Sequence, residues 1–143
     1  MSRFAPVFRA LGMIIMLFAL TMLLPLAWSW ISDDGAQSSY DEAFGLTMLS
    51  GLGLWYRNRY EKRELQVRDG FLMVVLVWTL LPAFSTLPLM LQLHISFTDA
   101  YFETMSGLTT TGSTVLSGLD TLPESINLWR HQLVWLGGMG LIV

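Results

Sequence analysis

Ser96-Phe97-Thr98-Asp99-Ala100-Tyr101-Phe102-Glu103-Thr104-Met105-Ser106-Gly107-Leu108-Thr109-Thr110-Thr111-Gly112-Ser113-Thr114 is the stretch on which the reading of this chain turns. Its first part predicts a short helix: Ser96 and Thr98 are N-cap candidates, Asp99 is an acid in the first turn, and no breaker interrupts 100–105. Gly107 is the expected stop. Such a helix of about 10–12 residues is half a membrane span, so it reads as re-entrant, with a carbonyl-rich, partly negative C-terminal end that favours a cation. Thr109-Thr110-Thr111-Gly112-Ser113-Thr114 follows directly. A cation filter needs backbone carbonyls turned toward one axis, and a glycine whose φ/ψ freedom permits that ribbon. The same residues also read as a Thr-rich turn on an outer face; the half-helix before them and the apolar run after them favour the filter.

Around this stretch the composition is that of a membrane protein. Of 143 residues 53% are hydrophobic and only 13% charged, against about 25% charged in soluble domains, and the mean hydropathy is +0.53. Disordered chains are polar and charged, so disorder is excluded. Eight Lys and Arg under a net charge of −3 make no nucleic-acid surface. The absence of Cys excludes disulfides, thiolate metal sites and cysteine nucleophiles.

Charge-free runs occupy 10–32, 43–56, 70–98, 104–119 and 131–143. The first and third are full spans, with Pro25, Pro82 and Pro88 as bends and Trp28 and Trp30 as interfacial anchors. The second is short and is expected to extend as helix into the charged residues after it. Run 104–119, rich in Gly, Ser and Thr, does not build a lipid-facing helix. Arg3 and Arg9, then Arg57, Arg59, Lys62, Arg63 and Arg68, place the N-terminus and the second connection inside. Asp33, Asp34, Asp41 and Glu42, and the acids between 99 and 124, place the other connections outside. A signal peptide is the competing reading of the first thirty residues; its apolar run is long and Trp-crowded for one. The last run is still apolar at Val143, where a terminal carboxylate is costly, so the chain is expected to be the N-terminal fragment of a longer protein.

Other groups have plainer readings. Asp99 and Glu103, one turn apart, read as first-turn acids with a mild attraction for cations rather than an acid–base pair. His131 with Ser106, Ser113 and Asp120 lacks the G-x-S-x-G context of a hydrolase. His94 has no second ligand one turn away. Gly137-Gly138-x-Gly140 lacks the dinucleotide spacing and reads as close helix packing, as does the Ala43, Thr47, Gly51 stripe. The Met residues are packing fillers.

The stretch 102–114, then Gly118-Leu119-Asp120-Thr121-Leu122-Pro123, Trp129-Arg130 and 135–143, closely resembles the first pore repeat of bacterial Trk-type potassium-uptake subunits, the TrkH and TrkG family within the Trk/Ktr/HKT superfamily. Asn58-Arg59, Glu61-Lys62, Glu64-Leu65 and 69–72 resemble it too, so the match covers nearly the whole chain. The resemblance implies an all-α integral membrane protein and no enzyme. Residues 1–68 would be an N-terminal transmembrane helix pair with a basic cytoplasmic loop. Residues 69–143 would be the first of four helix–pore-loop–helix repeats: outer helix about 71–93, pore helix about 97–108, filter about 109–114 and truncated inner helix about 128–143.

It further implies K⁺ held by the backbone carbonyls of Thr110 and Thr111, its metal-binding positions, with Gly112, and with Thr109 and Ser113 as further filter candidates. A single glycine followed by Ser113, and not by Tyr-Gly, departs from true potassium channels and puts discrimination against sodium in doubt. The implied setting is multi-pass in the bacterial inner membrane, amid lipid, with the N-terminus cytoplasmic. The implied partners are the three remaining pore repeats, a second copy in a homodimer and a TrkA-type cytosolic nucleotide-binding regulator. No cofactor is implied besides the transported ion. Two other classes stay open on the residues alone: a small membrane protein with a structural re-entrant loop and no conduction, and a subunit of a homotetrameric cation channel.

Overall fold

A computed structural model describes residues 3–142, and all of the regular structure among them is helical. Helices α1 (Ala5–Thr21) and α2 (Leu23–Ser32) form one bent run of 28 residues with mean hydropathy 2.4. The bend follows from Pro25, which lacks the N–H that would bond the Thr21 carbonyl one turn earlier. Gln132, far along the chain, supplies the missing donor: its Nε2 lies 2.7 Å from the Thr21 oxygen.

Helix α3 (Gln37–Asn58) corrects the expectation for the short second run. It gains length backward, taking in Asp41 and Glu42, and stops at Asn58 instead of continuing through the basic residues. Asp34 sets the start by accepting from the Ala36 N–H at 3.1 Å, a local Asx turn. At the other end the Asn58 side chain turns back onto the Leu54 carbonyl at 2.8 Å, and the Asn58 carbonyl accepts from Glu61 N. The resulting 22 residues reach about 33 Å at 1.5 Å each, enough to cross a bilayer. Ala43, Thr47 and Gly51 are all buried, as their spacing predicts. Gly51 meets Gly12 of α1 so closely that a Cβ on Gly12 would lie 2.7 Å from the Gly51 oxygen.

Helix α4 (Val67–Leu93), with mean hydropathy 2.0, begins four residues before position 71. Gln66 and Asp69 form a reciprocal capping box there, and Arg63 holds the Asp69 carboxylate at 2.8 Å. Pro82 and Pro88, the expected bends, both lie buried within this one continuous helix. Three carbonyls along its middle accept bonds from other helices. Tyr101 Oη donates to Thr79 at 3.1 Å, Thr104 Oγ1 to Pro82 at 2.9 Å, and Trp129 Nε1 to Ser85 at 3.2 Å. These bonds fasten α5 (Phe97–Leu108) and α6 (Glu124–Ile142) to α4.

A 3-10 turn, Leu119–Thr121, leads into α6, which starts at Glu124 and not near 128. Its first turn is held from outside the helix: Asp34 Oδ2 accepts from Ser125 N at 2.9 Å, and Trp28 Nε1 donates to Glu124 at 3.1 Å. Trp129 is fully buried at the centre of the core, 5.8 Å from the Phe18 ring centroid and packed with Met22, Tyr40, Leu89, Ile126 and Leu133. The 33–36 turn, the start of α6 and the end of α4 therefore share one end of the bundle, where Ser39 also bonds Gln92 at 2.9 Å. The opposite end gathers Arg3, Arg9 and residues 61–69, with Arg63 Nη1 2.9 Å from the Arg3 carbonyl.

Candidate ion-binding site

Helix α5 starts at the Asp34 end beside the close of α4, and Ser96 caps it by accepting from Asp99 N at 3.2 Å. Its other end lies against α6 well past that helix's first turns, where Gly137 takes the Leu108 carbonyl. A Cβ on Gly137 would overlap that carbonyl oxygen. Gly107 does not end the helix as its sequence position led one to expect. It lies inside α5, buried, where a Cβ would come to 3.2 Å from Leu133 Cβ. Its smallness serves packing.

The helix ends at Leu108 in a Schellman arrangement. Thr110 N donates to Gly107 O and Thr111 N to Ser106 O, each at 2.9 Å, while Thr109 N donates to Met105 O at 2.9 Å. The position that such a motif usually gives to glycine is held by Thr110, with φ +57°. A β-branched residue in the left-handed region is a true outlier, and such strain collects at functional sites. Gly112, at φ +79°, repeats the left-handed turn, and there the space for a Cβ is open.

Thr109, Thr110, Thr111, Gly112 and Ser113 all lie on the surface, in one continuous segment. Their donors face the protein: the N–H groups of 109–111 are taken by α5 carbonyls. The Ser113 carbonyl also turns inward, accepting from Ser106 Oγ at 2.6 Å. Among the described residues nothing donates to the carbonyls of Thr109, Thr110, Thr111 or Gly112. A run of unbonded acceptors next to the carbonyl end of a helix presents negative partial charge and no competing donor.

Behind the segment stands Glu103, expected from its spacing to be a first-turn acid with a mild attraction for cations. It is 5% exposed, too buried for that part. Its Oε1 accepts from Thr114 Oγ1, from Val115 N at 3.0 Å and from Leu116 N at 3.3 Å. Its Oε2 lies 3.6 Å from Arg130 Nη2 of α6. The carboxylate thus joins α5, the outgoing ribbon and α6. The Thr-rich pattern hid this because nothing local distinguishes Glu103 from Asp99, which is exposed. A pocket of about 50 Å³ lies between Gly112, Glu103 and Arg130. That volume accommodates a water molecule. Arg130 Nε is buried there without a protein partner.

His131 bonds the Asn127 carbonyl at 2.7 Å, and no serine or acid joins it. His94 closes α4 in a left-handed conformation. Among the described residues no three His, Asp or Glu gather as a side-chain metal site.

Residues 38–143 match the TrkH family model, described as a cation transport protein. The chain belongs to the TrkH family. It is 47% identical over 139 residues to the Trk system potassium uptake protein TrkH of Halomonas elongata, a match that covers 96% of this chain and 29% of that protein. It is 34% identical to the Trk system potassium uptake protein TrkG of Escherichia coli K12, covering 92% of this chain and 28% of that one. Among solved structures, the crystal structure of the potassium transporter TrkH from Vibrio parahaemolyticus superposes with a TM-score of 0.92 at 43% identity. That match covers 99% of this chain and 31% of the other. This TrkH-family chain therefore spans about 29% of the length of the curated relatives it matches. Its all-helical fold is that of the TrkH neighbour.

Proposed function

We propose that this chain supplies the first of four pore loops to a potassium-uptake protein of the bacterial inner membrane. K⁺ passes by exchanging water for backbone carbonyls, to which Thr110, Thr111 and Gly112 contribute one quarter of the ring. Thr109 stands at the inner mouth, and Ser113 anchors the ribbon through its carbonyl. The observation that carries the reading is the one-sided hydrogen bonding of 109–113: donors and the Ser113 carbonyl face the protein, and four successive carbonyls are left unbonded on an exposed surface. The names of the relatives, each a Trk system potassium uptake protein, support K⁺ as the ion.

In this reading residues 1–68 are an accessory helix pair and residues 69–143 the repeat itself. The N-terminus is cytoplasmic, supported by the collection of Arg3, Arg9 and 57–68 at one end and of Asp33, Asp34 and Glu124 at the other. The complete protein works as a transporter without enzymatic chemistry or cofactor, pairs as a homodimer and takes a TrkA-type cytosolic nucleotide-binding regulator.

The test is potassium-limited growth and Rb⁺ uptake of a transport-deficient bacterium carrying the full-length protein. Replacing Gly112 by valine should abolish rescue while the protein still reaches the membrane. Unchanged rescue would sink the filter assignment.

A further inference from the structure

At the end of the bundle remote from the candidate filter, a pocket of about 260 Å³ opens between the first turns of α1 and the 59–66 connection. Its polar wall is Arg9, Lys62 and Arg63; its apolar wall includes Pro6, Met13 and Leu65. We propose that this pocket binds the phosphate headgroup of an anionic glycerophospholipid of the adjoining leaflet.

Three observations converge. First, donors outnumber acceptors. Among the described residues Lys62 makes no hydrogen bond or ion pair, and Arg9 spends only Nη1, on the Glu61 carbonyl. Arg63 bonds Arg3 and Asp69 yet leaves Nε buried without a partner. Against the three cations stand Glu64, which also lines the pocket, and Asp69, which pairs with Arg63, so these groups leave a single net positive charge at the pocket. Guanidinium forks and an ammonium converging on one space suit phosphate oxygens. Secondly, the position is interfacial: the two helices long and apolar enough to cross a membrane, Ala5–Ser32 and Val67–Leu93, both begin at this end. Thirdly, exposed apolar side chains begin at the pocket's own Leu65 and follow it along the chain. Leu65 is half exposed, and Val67 and Phe71 of α4 are 84% and 74% exposed, a bed for acyl chain beside a cationic head site. A free anion has no use for that apolar wall.

The experiment is native mass spectrometry of the purified full-length protein with phosphatidylglycerol, with phosphatidylcholine, and with inorganic phosphate alone. The wild type should retain phosphatidylglycerol over phosphatidylcholine. Lys62→Gln, at an exposed and unbonded side chain, should lower that preference about fivefold, and R9Q/K62Q about twenty-fivefold, at roughly one screened charge each. K62R should keep the preference, and so should R57Q, a basic residue on α3 away from the pocket. If the double variant does not fold, the fivefold loss in K62Q alone carries the result. Equal retention of the two lipids by the wild type, or no loss in K62Q, overturns the site. Phosphate binding as tight as that of phosphatidylglycerol overturns the lipid assignment.

Discussion

Gly137 and Gly112 stand within a few residues' reach of the same helix end, and they are glycine for opposite reasons. At Gly137 the backbone of α6 touches the Leu108 carbonyl, so there is no room for a Cβ, whatever the conformation. At Gly112 there is room, but φ is +79°, which L-residues rarely adopt. One glycine sets the distance between two helices and the other the direction of a carbonyl. The first is a matter of whether the protein folds, the second of how a carbonyl of the candidate filter is aimed.

Substitutions separate these roles, and the largest effect is expected at Gly137. Gly137→Val forces backbone apart and should cost more than about 3 kcal/mol, beyond the usual cost of overpacking because no flexible side chain can yield. The full-length protein should then lose its monodisperse peak in size-exclusion chromatography. A normal peak would mean that the α5–α6 contact is not where the fold is held.

Glu103→Ala comes next. It removes the acceptor for Thr114, Val115 and Leu116 and leaves Arg130 without its counter-charge, at a cost of about 3 kcal/mol; thermal unfolding measures it. Glu103→Gln should recover part of the stability, since an amide oxygen still accepts. Uptake should fall more than stability does, because the ribbon leaving the candidate filter loosens.

Gly112→Ala sharpens the contrast with Gly137. The open space allows the protein to fold, with about 1 kcal/mol lost to the left-handed backbone, while Rb⁺ uptake drops severalfold. If stability and uptake fall together in proportion, the glycine is acting as a packing residue after all.

A smaller effect is expected at the Asp34 end of the bundle. Burial raises the Asp34 carboxyl pKa, but hydrogen bonds from Ser125, Ser29 and Ala36 outweigh it and hold the group below its ordinary value of 3.8. A carboxyl depressed on folding contributes stability above its unfolded pKa and loses it as pH falls through the folded value. Thermal unfolding should therefore show a decline below about pH 4, and Asp34→Asn should remove that part of the decline. The smallest change is expected for Thr110→Gly. Relief of the left-handed strain and the extra entropy of glycine nearly cancel, leaving stability within about 0.5 kcal/mol.

The legibility of the chain followed the range of the forces involved. The two long spans and the buried Ala43, Thr47, Gly51 stripe were readable because hydropathy and helical spacing are local properties. Ser96 was readable as a cap because it acts three residues away. Gly107 was misread because a glycine that stops a helix and one that admits a neighbouring helix look alike until the neighbour is present. Glu103 was misread for the same reason, since its partners lie 11 to 13 residues ahead and on α6. The backward growth of α3 depended on Asp34, whose other oxygen is committed to α6. In the candidate site the composition of 109–114 pointed to carbonyl chemistry. Which carbonyls are free depended on Ser106, a residue with no distinguishing mark.

The three accepting carbonyls on α4 have a mechanical corollary. Thr79 and Pro82 are three residues apart, and so are their donors Tyr101 and Thr104. The two helices therefore meet like a key in a lock with two matched wards, and the Trp129 bond to Ser85 adds a third ward from α6. Sliding α5 by one residue along α4 breaks both of its own bonds at once, so small displacements are resisted in steps and not by a gradual spring. The candidate filter segment hangs from the end of α5 and inherits that stiffness, so its oxygens keep their place relative to α4.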